Sequence, residues 1–274
     1  MIIKTLAENE VISEDFKGQH GLSIYIETSK HKLLFDTGAS DLFLENAIKL
    51  GVNIEDVDIA AISHGHYDHG GGLETFFQKN KKAKVYVQKD ALKNYYSKRA
   101  NGEFKYIGFD ESIKESDRFV FVENYLRIDD ELELFCDVKG RELFSLANKS
   151  LFMEQGNEKM EDIFKHEQNL IITEGDKTLL LAGCAHNGIV NIVNKYKEIK
   201  GSEPDYVIGG FHLYNRNNKK SEDIETIKGI ADFLMKTKSK YYTGHCTGLE
   251  AYDQLKGLMG DRIQYIATGS VIKI

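Results

Sequence analysis

Short apolar runs punctuate this chain, separated by turns that carry Gly, Asp, Asn and Ser. The first runs fall at residues 2–7, Leu22–Glu27 and Lys32–Phe35. The last two, joined across Ser29-Lys30-His31, predict a hairpin. Asp36-Thr37-Gly38 ends the third strand and leads into a helix over 41–50 with Ser40 or Asp41 as its cap. Val57–Ile62 reads as a buried strand, followed by a helix at 73–79 and a strand at 85–87. The second half repeats a strand–helix rhythm, with strands near 169–173, 178–183, 205–211, 240–244 and 263–268 and helices near 187–198, 222–236 and 248–258. This order predicts an α/β (α+β) chain with two sheets packed face to face and helices outside.

Residues 90–150 carry short strand-like pieces, Phe119–Val122 and Leu132–Phe135, among many Tyr, Phe, Lys and Glu. They read as an insert or lid within one domain spanning 1–274, and their aromatics as core filler.

Composition narrows the class. With 274 residues, 41% hydrophobic and 29% charged, the chain has the make-up of a globular protein. A net charge of −7 argues against nucleic acid as a partner, and the basic run Lys79–Lys84 reads as a solvated helix end. No stretch approaches the roughly 18 apolar residues of a membrane span, and Met1–Leu6 turns polar too soon for a secretory signal. Three cysteines without a Cys-x-x-Cys pair fit a reduced, cytoplasmic setting.

The chemistry concentrates in Ser63-His64-Gly65-His66-Tyr67-Asp68-His69-Gly70-Gly71-Gly72. Imidazole nitrogens and a carboxylate are the donors that zinc and similar ions take. In extended backbone, His64 and His66 point to one side and can grip one ion. Asp68 and His69, around the turn, can face a second ion or the open side of the first. One loop cannot close such a site, so other histidines must converge on it. His166 stands just before a strand. Cys184 and His186 lie where a strand gives way to a helix. His212 ends the strand that reaches Phe211, and His245 opens the helix after Gly244. His20 is placed along the same cleft, whereas His31, in the hairpin turn, reads as exposed.

The pattern H-x-H-x-D-H between a strand and a Gly-rich turn resembles the signature of the metallo-β-lactamase superfamily. That resemblance implies a four-layer αββα sandwich and a centre of one or two zinc ions, or another divalent transition metal. Laid on this sequence, it makes His64, His66, Asp68 and His69 ligands. It matches His166 to a third motif, Cys184 to a bridging aspartate and His245 to the last motif. Alternatively Cys184 is apolar filler and His186 supplies the ligand. His212 is left over the open face as a substrate contact or general acid.

Further segments resemble one branch in particular. They are Gln19–Ser23, Leu34–Gly38, Gly183–Asn191, Gly209–Leu213 and Gly244–Gly248. The branch is that of metal-dependent hydrolases related to the dihydropterin ribofuranosylaminobenzene phosphate synthase of methanopterin biosynthesis. It implies metal chemistry on an ester, phosphoester or related small molecule, a pterin-like one included. Two other classes share the fold: a non-enzymatic sensor of a small ligand, and a di-iron redox protein. In the latter a glutamate replaces the second histidine of the loop, where this chain has His66.

Overall fold

The computed structural model describes residues 1–274. Two seven-stranded sheets form its centre. The first has the order Val271–Lys273, Ile2–Ala7, Ser23–Glu27, Lys32–Phe35, Ile59–Ile62, Lys84–Gln88, Phe119–Val122. The second runs Ile263–Tyr265, Lys240–Thr243, Tyr206–Ile208, Lys177–Leu181, Asn169–Glu174, Leu132–Phe135, Tyr125–Arg127.

Side-chain alternation shows how the sheets meet. Ile24, Ile26, Leu33 and Phe35 of the first sheet join Leu132, Leu134, Leu170, Ile172, Leu179 and Leu181 of the second in one buried cluster. The intervening residues point the other way. Tyr25 and Leu34 pack with Phe43, Ala47, Leu73 and Phe76 from the helices Leu42–Lys49 and Leu73–Lys79. Ile171 and Leu180 pack with residues of the helices Ile189–Lys200, Ile224–Lys236 and Leu249–Met259. Helix, sheet, sheet, helix is the four-layer αββα sandwich. Because both faces of each sheet are covered, its strands read as continuous apolar runs. Each fully buried Leu or Ile contributes roughly 1.5–3 kcal/mol.

Several expected elements end early. The strands expected over 178–183, 205–211 and 263–268 stop at Leu181, Ile208 and Tyr265. At Gly209 the backbone turns to φ +157°, and a β-carbon there would collide with the carbonyl of Ala182. The chain leaves the sheet at that point and is free to carry His212 into the cleft.

The 90–150 stretch, expected as an insert or lid, divides. Phe119–Val122 and Leu132–Phe135 are strands of the two core sheets rather than parts of an insert. Only Tyr95–Lys98 and Phe104–Tyr106 leave the sandwich. With Leu151–Gln155 and Glu158–Glu161 they form a separate four-stranded sheet. No helix is long and apolar enough to cross a membrane.

Topology also fixes where function can gather. Lys32–Phe35, Ile59–Ile62 and Lys84–Gln88 pair in parallel, as do Lys177–Leu181, Tyr206–Ile208 and Lys240–Thr243. The loops after Phe35, Ile62, Leu181, Ile208 and Thr243 therefore leave from carboxyl ends of strands, where open α/β sheets place their ligands.

Candidate metal centre

The strand Ile59–Ile62 delivers Ser63 and His64, and a single helical turn, Tyr67–Gly70, carries Asp68 and His69 inward. Nε2 of His64 lies 3.0 Å from Nδ1 of His66 and 3.3 Å from Nε2 of His186. Around a tetrahedral zinc with Zn–N near 2.0–2.1 Å, nitrogen ligands sit about 3.3 Å apart. The three nitrogens therefore match one ion.

A second set lies beside it. His69 Nε2 is 3.2 Å from His245 Nε2, and Asp68 Oδ2 is 3.4 Å from His245 Nε2. Cys184 Sγ is 3.1 Å from His69 Nε2. It also falls within 4.8 Å of the His64 and His69 donors, so the thiol stands between the two sets.

For His64, His69, His186 and His245 the far side of the ring explains why its inner nitrogen carries a lone pair, whereas His66 Nε2 has no partner. His186 Nδ1 faces Asn148 Oδ1 at 2.9 Å, and His245 Nδ1 faces Asn9 Oδ1 at 3.1 Å. An amide oxygen only accepts, so each Nδ1 holds the proton and each Nε2 is bare. His69 Nδ1 donates to Asp36 Oδ2 at 2.6 Å. Ser63 Oγ, 2.7 Å from the same carboxylate, receives Nδ1 of His64 at 2.9 Å.

Electrostatics agree. Burial holds the His64 and His186 imidazoles well below their ordinary pKa and His66 down to about 3, with the neighbouring imidazoles adding to it. His69 is the exception. Burial pulls it down, but the Asp36 carboxylate outweighs that and raises it to about 9. Asp68 is drawn well below the carboxylate range by His20 and His245, against the opposing effect of burial. Burial pushes the Cys184 thiol up.

Two buried glutamates hold the ligand loops by their backbone. Glu167 accepts from the amides of His186 and Asn187 at 2.6 and 3.0 Å. Glu8 accepts from the amide of His245 and, at 2.9 Å, from the Tyr265 hydroxyl. Backbone strain gathers here too. Asp36, Phe164, Ala185, His212 and His245 are five of the eight non-glycine residues with positive φ. Such residues cost roughly 1–3 kcal/mol each and persist where the surroundings over-determine them. Gly183 and Gly210 permit the close approach, since a β-carbon would strike Ser63 Oγ at the first and Cys246 Sγ at the second.

Most of the expected residues meet: His64, His66, Asp68, His69, Cys184, His186 and His245 converge. His20 lies with Nε2 3.0 Å from Asp68 Oδ2. The His212 ring centroid is 4.1 Å from that of His186, and neither ring nitrogen has a partner. His166 is corrected. Its Nδ1 accepts from the Gly65 amide at 2.9 Å and its Nε2 donates to Asp162 at 2.9 Å, so no lone pair is left for an ion. The third imidazole of the first set is His186 instead. Cys184 is not apolar filler, because its sulfur meets His69. His31 is corrected as well: it is half-buried between Asp58 and Asp129, at 2.7 Å from each.

Sequence reasoning missed Asp36, Asn148, Asn9, Glu8, Glu167 and Cys246. Asp36 alone left a signal, an acid at a strand end just before a glycine.

A sequence model described as the metallo-beta-lactamase superfamily matches residues 17–134. An uncharacterized protein of Methanocaldococcus jannaschii, MJ0448, is 30% identical over 282 residues, covering 100% of both chains. The chain belongs to the metallo-β-lactamase superfamily. Within it, the 7,8-dihydropterin-6-methyl-4-(β-D-ribofuranosyl)-aminobenzene-5'-phosphate synthase of the same organism is 29% identical, with 99% of this chain and 96% of that protein covered. Among solved structures of the superfamily, Tm1679, a metal-dependent hydrolase, superposes with a TM-score of 0.83 at 29% identity, over 100% of this chain and 99% of that one.

Proposed function

We propose that this protein is a zinc-dependent hydrolase acting on an ester, phosphoester or related bond of a small molecule. The observation that carries the reading is the set of buried imidazole nitrogens of His64, His66 and His186, with His64 Nε2 3.0 Å from His66 Nδ1 and 3.3 Å from His186 Nε2, and with His66 Nε2 left without a partner. Bare of a cation such a set is unfavourable, and with one it is a binding site.

His64, His66 and His186 would hold one ion. Asp68, His69 and His245 would hold a second, with Cys184 between them. When bound, such an ion supplies Lewis acidity at neutral pH. The chain's own residues do the rest. Asp68, ionised and oriented by His20, would accept a hydrogen bond from an attacking water and orient it. His212, with both ring nitrogens free, stands where it can give a proton to the leaving group. Asn148, Asn9 and Asp36 hold the imidazoles in one tautomer, so none turns away during the reaction.

The relative named as a dihydropterin-linked 5'-phosphate synthase supports a small, ring-bearing substrate. The cleft over the centre encloses about 790 Å³ including its solvent-facing mouth.

Metal analysis of the purified protein, with turnover of aryl ester and phosphodiester probes before and after chelation, tests the reading. One or two equivalents of zinc and metal-dependent turnover are expected. Zinc content unchanged by His66→Ala, or turnover indifferent to chelation, overturns it.

A further inference from the structure

Two pieces outside the core sheets roof the cleft. One is the end of strand Tyr95–Lys98, which carries Arg99. The other is the hairpin formed by Tyr214–Asn215 and Lys220–Ser221, which carries Arg216 and Asn217. Asn217 fastens them together: its Nδ2 donates to Ser97 Oγ at 3.0 Å and to the Lys98 carbonyl at 3.1 Å, and its Oδ1 accepts from Arg99 Nη1 at 2.5 Å. Arg216 lines the same cleft as Tyr67, one residue from Asp68.

Both arginines line the cleft, and neither joins an ion pair, although many surface lysines of the chain do. Asp68 is the sole carboxylate in the cleft wall, and His20 and His245 already engage it. In a chain of net charge −7, two uncompensated guanidiniums facing one cleft create a local positive wall that an anion would otherwise not find.

We propose that Arg99 and Arg216 form an anion subsite in the cleft that holds a phosphate monoester group of the substrate. This deepens the hydrolase reading and rests on it only in calling the bound group part of a substrate. Phosphate is favoured over carboxylate by counting donors. A carboxylate has two oxygens and is satisfied by one bidentate fork. A phosphate monoester presents three oxygens and a charge of about −1.5 to −2 near neutrality, so it takes forks from two directions. The two arginines arrive from separate elements, which suits the second geometry.

The test is titration of the full-length protein, stripped of metal with EDTA, with inorganic phosphate and separately with acetate. Binding is followed by calorimetry and by phosphorus-31 line broadening. Phosphate is expected to bind at least tenfold more tightly than acetate. Arg99→Gln and Arg216→Gln should each weaken phosphate binding about tenfold to a hundredfold, the range for a charged hydrogen bond. Arg99→Lys should recover part of the loss.

Arg216 is exposed, so its variant tests the subsite even if loss of Arg99 disturbs the roof. Phosphate binding that is absent, matched by acetate, or unaltered in a folded Arg216→Gln protein overturns the subsite. Stripping the metal keeps the two failures apart. Phosphate bound through the arginines by a protein with no metal-dependent turnover sinks the hydrolase reading alone; turnover with no arginine-dependent phosphate binding sinks the subsite alone.

Discussion

His69 and Asp36 form a close polar pair in the centre, with Nδ1 and Oδ2 2.6 Å apart and both side chains fully buried. The same carboxylate accepts from the Ser63 amide at 2.6 Å and the Ser63 hydroxyl at 2.7 Å. One acid thus orients His69 directly and His64 through Ser63, reaching both ligand sets.

Asp36→Asn keeps the shape but can donate where the carboxylate only accepted, so the His69 tautomer is no longer enforced. Loss of such an outer partner typically lowers metal affinity about 10- to 100-fold. Competition against a colorimetric chelator reads the change directly. An affinity equal to that of the parent protein would show that Asp36 does not orient the centre.

His166 and His186 make opposite predictions from the same substitution. His186→Gln removes a donor from the first set and should lower bound metal, and it also loses the stacking of His186 on Phe164 at a centroid distance of 4.6 Å. His166→Gln should leave metal content unchanged. It strips Asp162 of its partner, and a buried group so orphaned costs about 1–3 kcal/mol. Elemental analysis paired with urea unfolding separates the two; loss of metal from His166→Gln would restore it as a ligand.

The contrast shows what the sequence could tell. His64, His66, Asp68 and His69 were legible because they lie within one turn of chain, where spacing alone decides direction. The two sheets were legible because alternation betrays a buried face. His166 misled because position before a strand says nothing of which nitrogen is free. That depends on Gly65 and on Asp162, which approach from other loops. Arg99 and Arg216 were invisible for a similar reason: 117 positions separate them in sequence, and only the Asn217 clasp brings their elements together.

His31 gives the chain a pH dependence away from the centre. It bridges Asp58, beside the first sheet, to Asp129, before a strand of the second. Burial lowers its pKa, but the hydrogen bonds and charges of Asp58 and Asp129 outweigh this and leave it above the ordinary 6.5. A raised folded-state value means the protonated bridge stabilises fully below pH 6.5 and is lost as pH climbs through the higher folded value. Urea midpoints should therefore fall between about pH 6 and pH 8 in the parent protein. In His31→Gln this component of the slope should vanish. An identical pH profile in the two proteins would show that the bridge carries no linked proton.

His212 separates binding from chemistry. It sits beside His186 and Cys184, yet both its nitrogens lack partners and its backbone is held at φ +49°. Strain of that kind at an unpaired imidazole is hard to account for as packing. If it donates a proton to the leaving group, His212→Gln should retain the metal and lower kcat about 10²- to 10⁴-fold, the span typical of general acids. The loss should shrink for substrates whose leaving groups need no proton, such as p-nitrophenolate. A uniform loss across leaving groups, or a loss of metal, would make His212 a ligand or a binding contact instead. Comparing aryl and alkyl esters by stopped assay, alongside zinc content, decides between these roles.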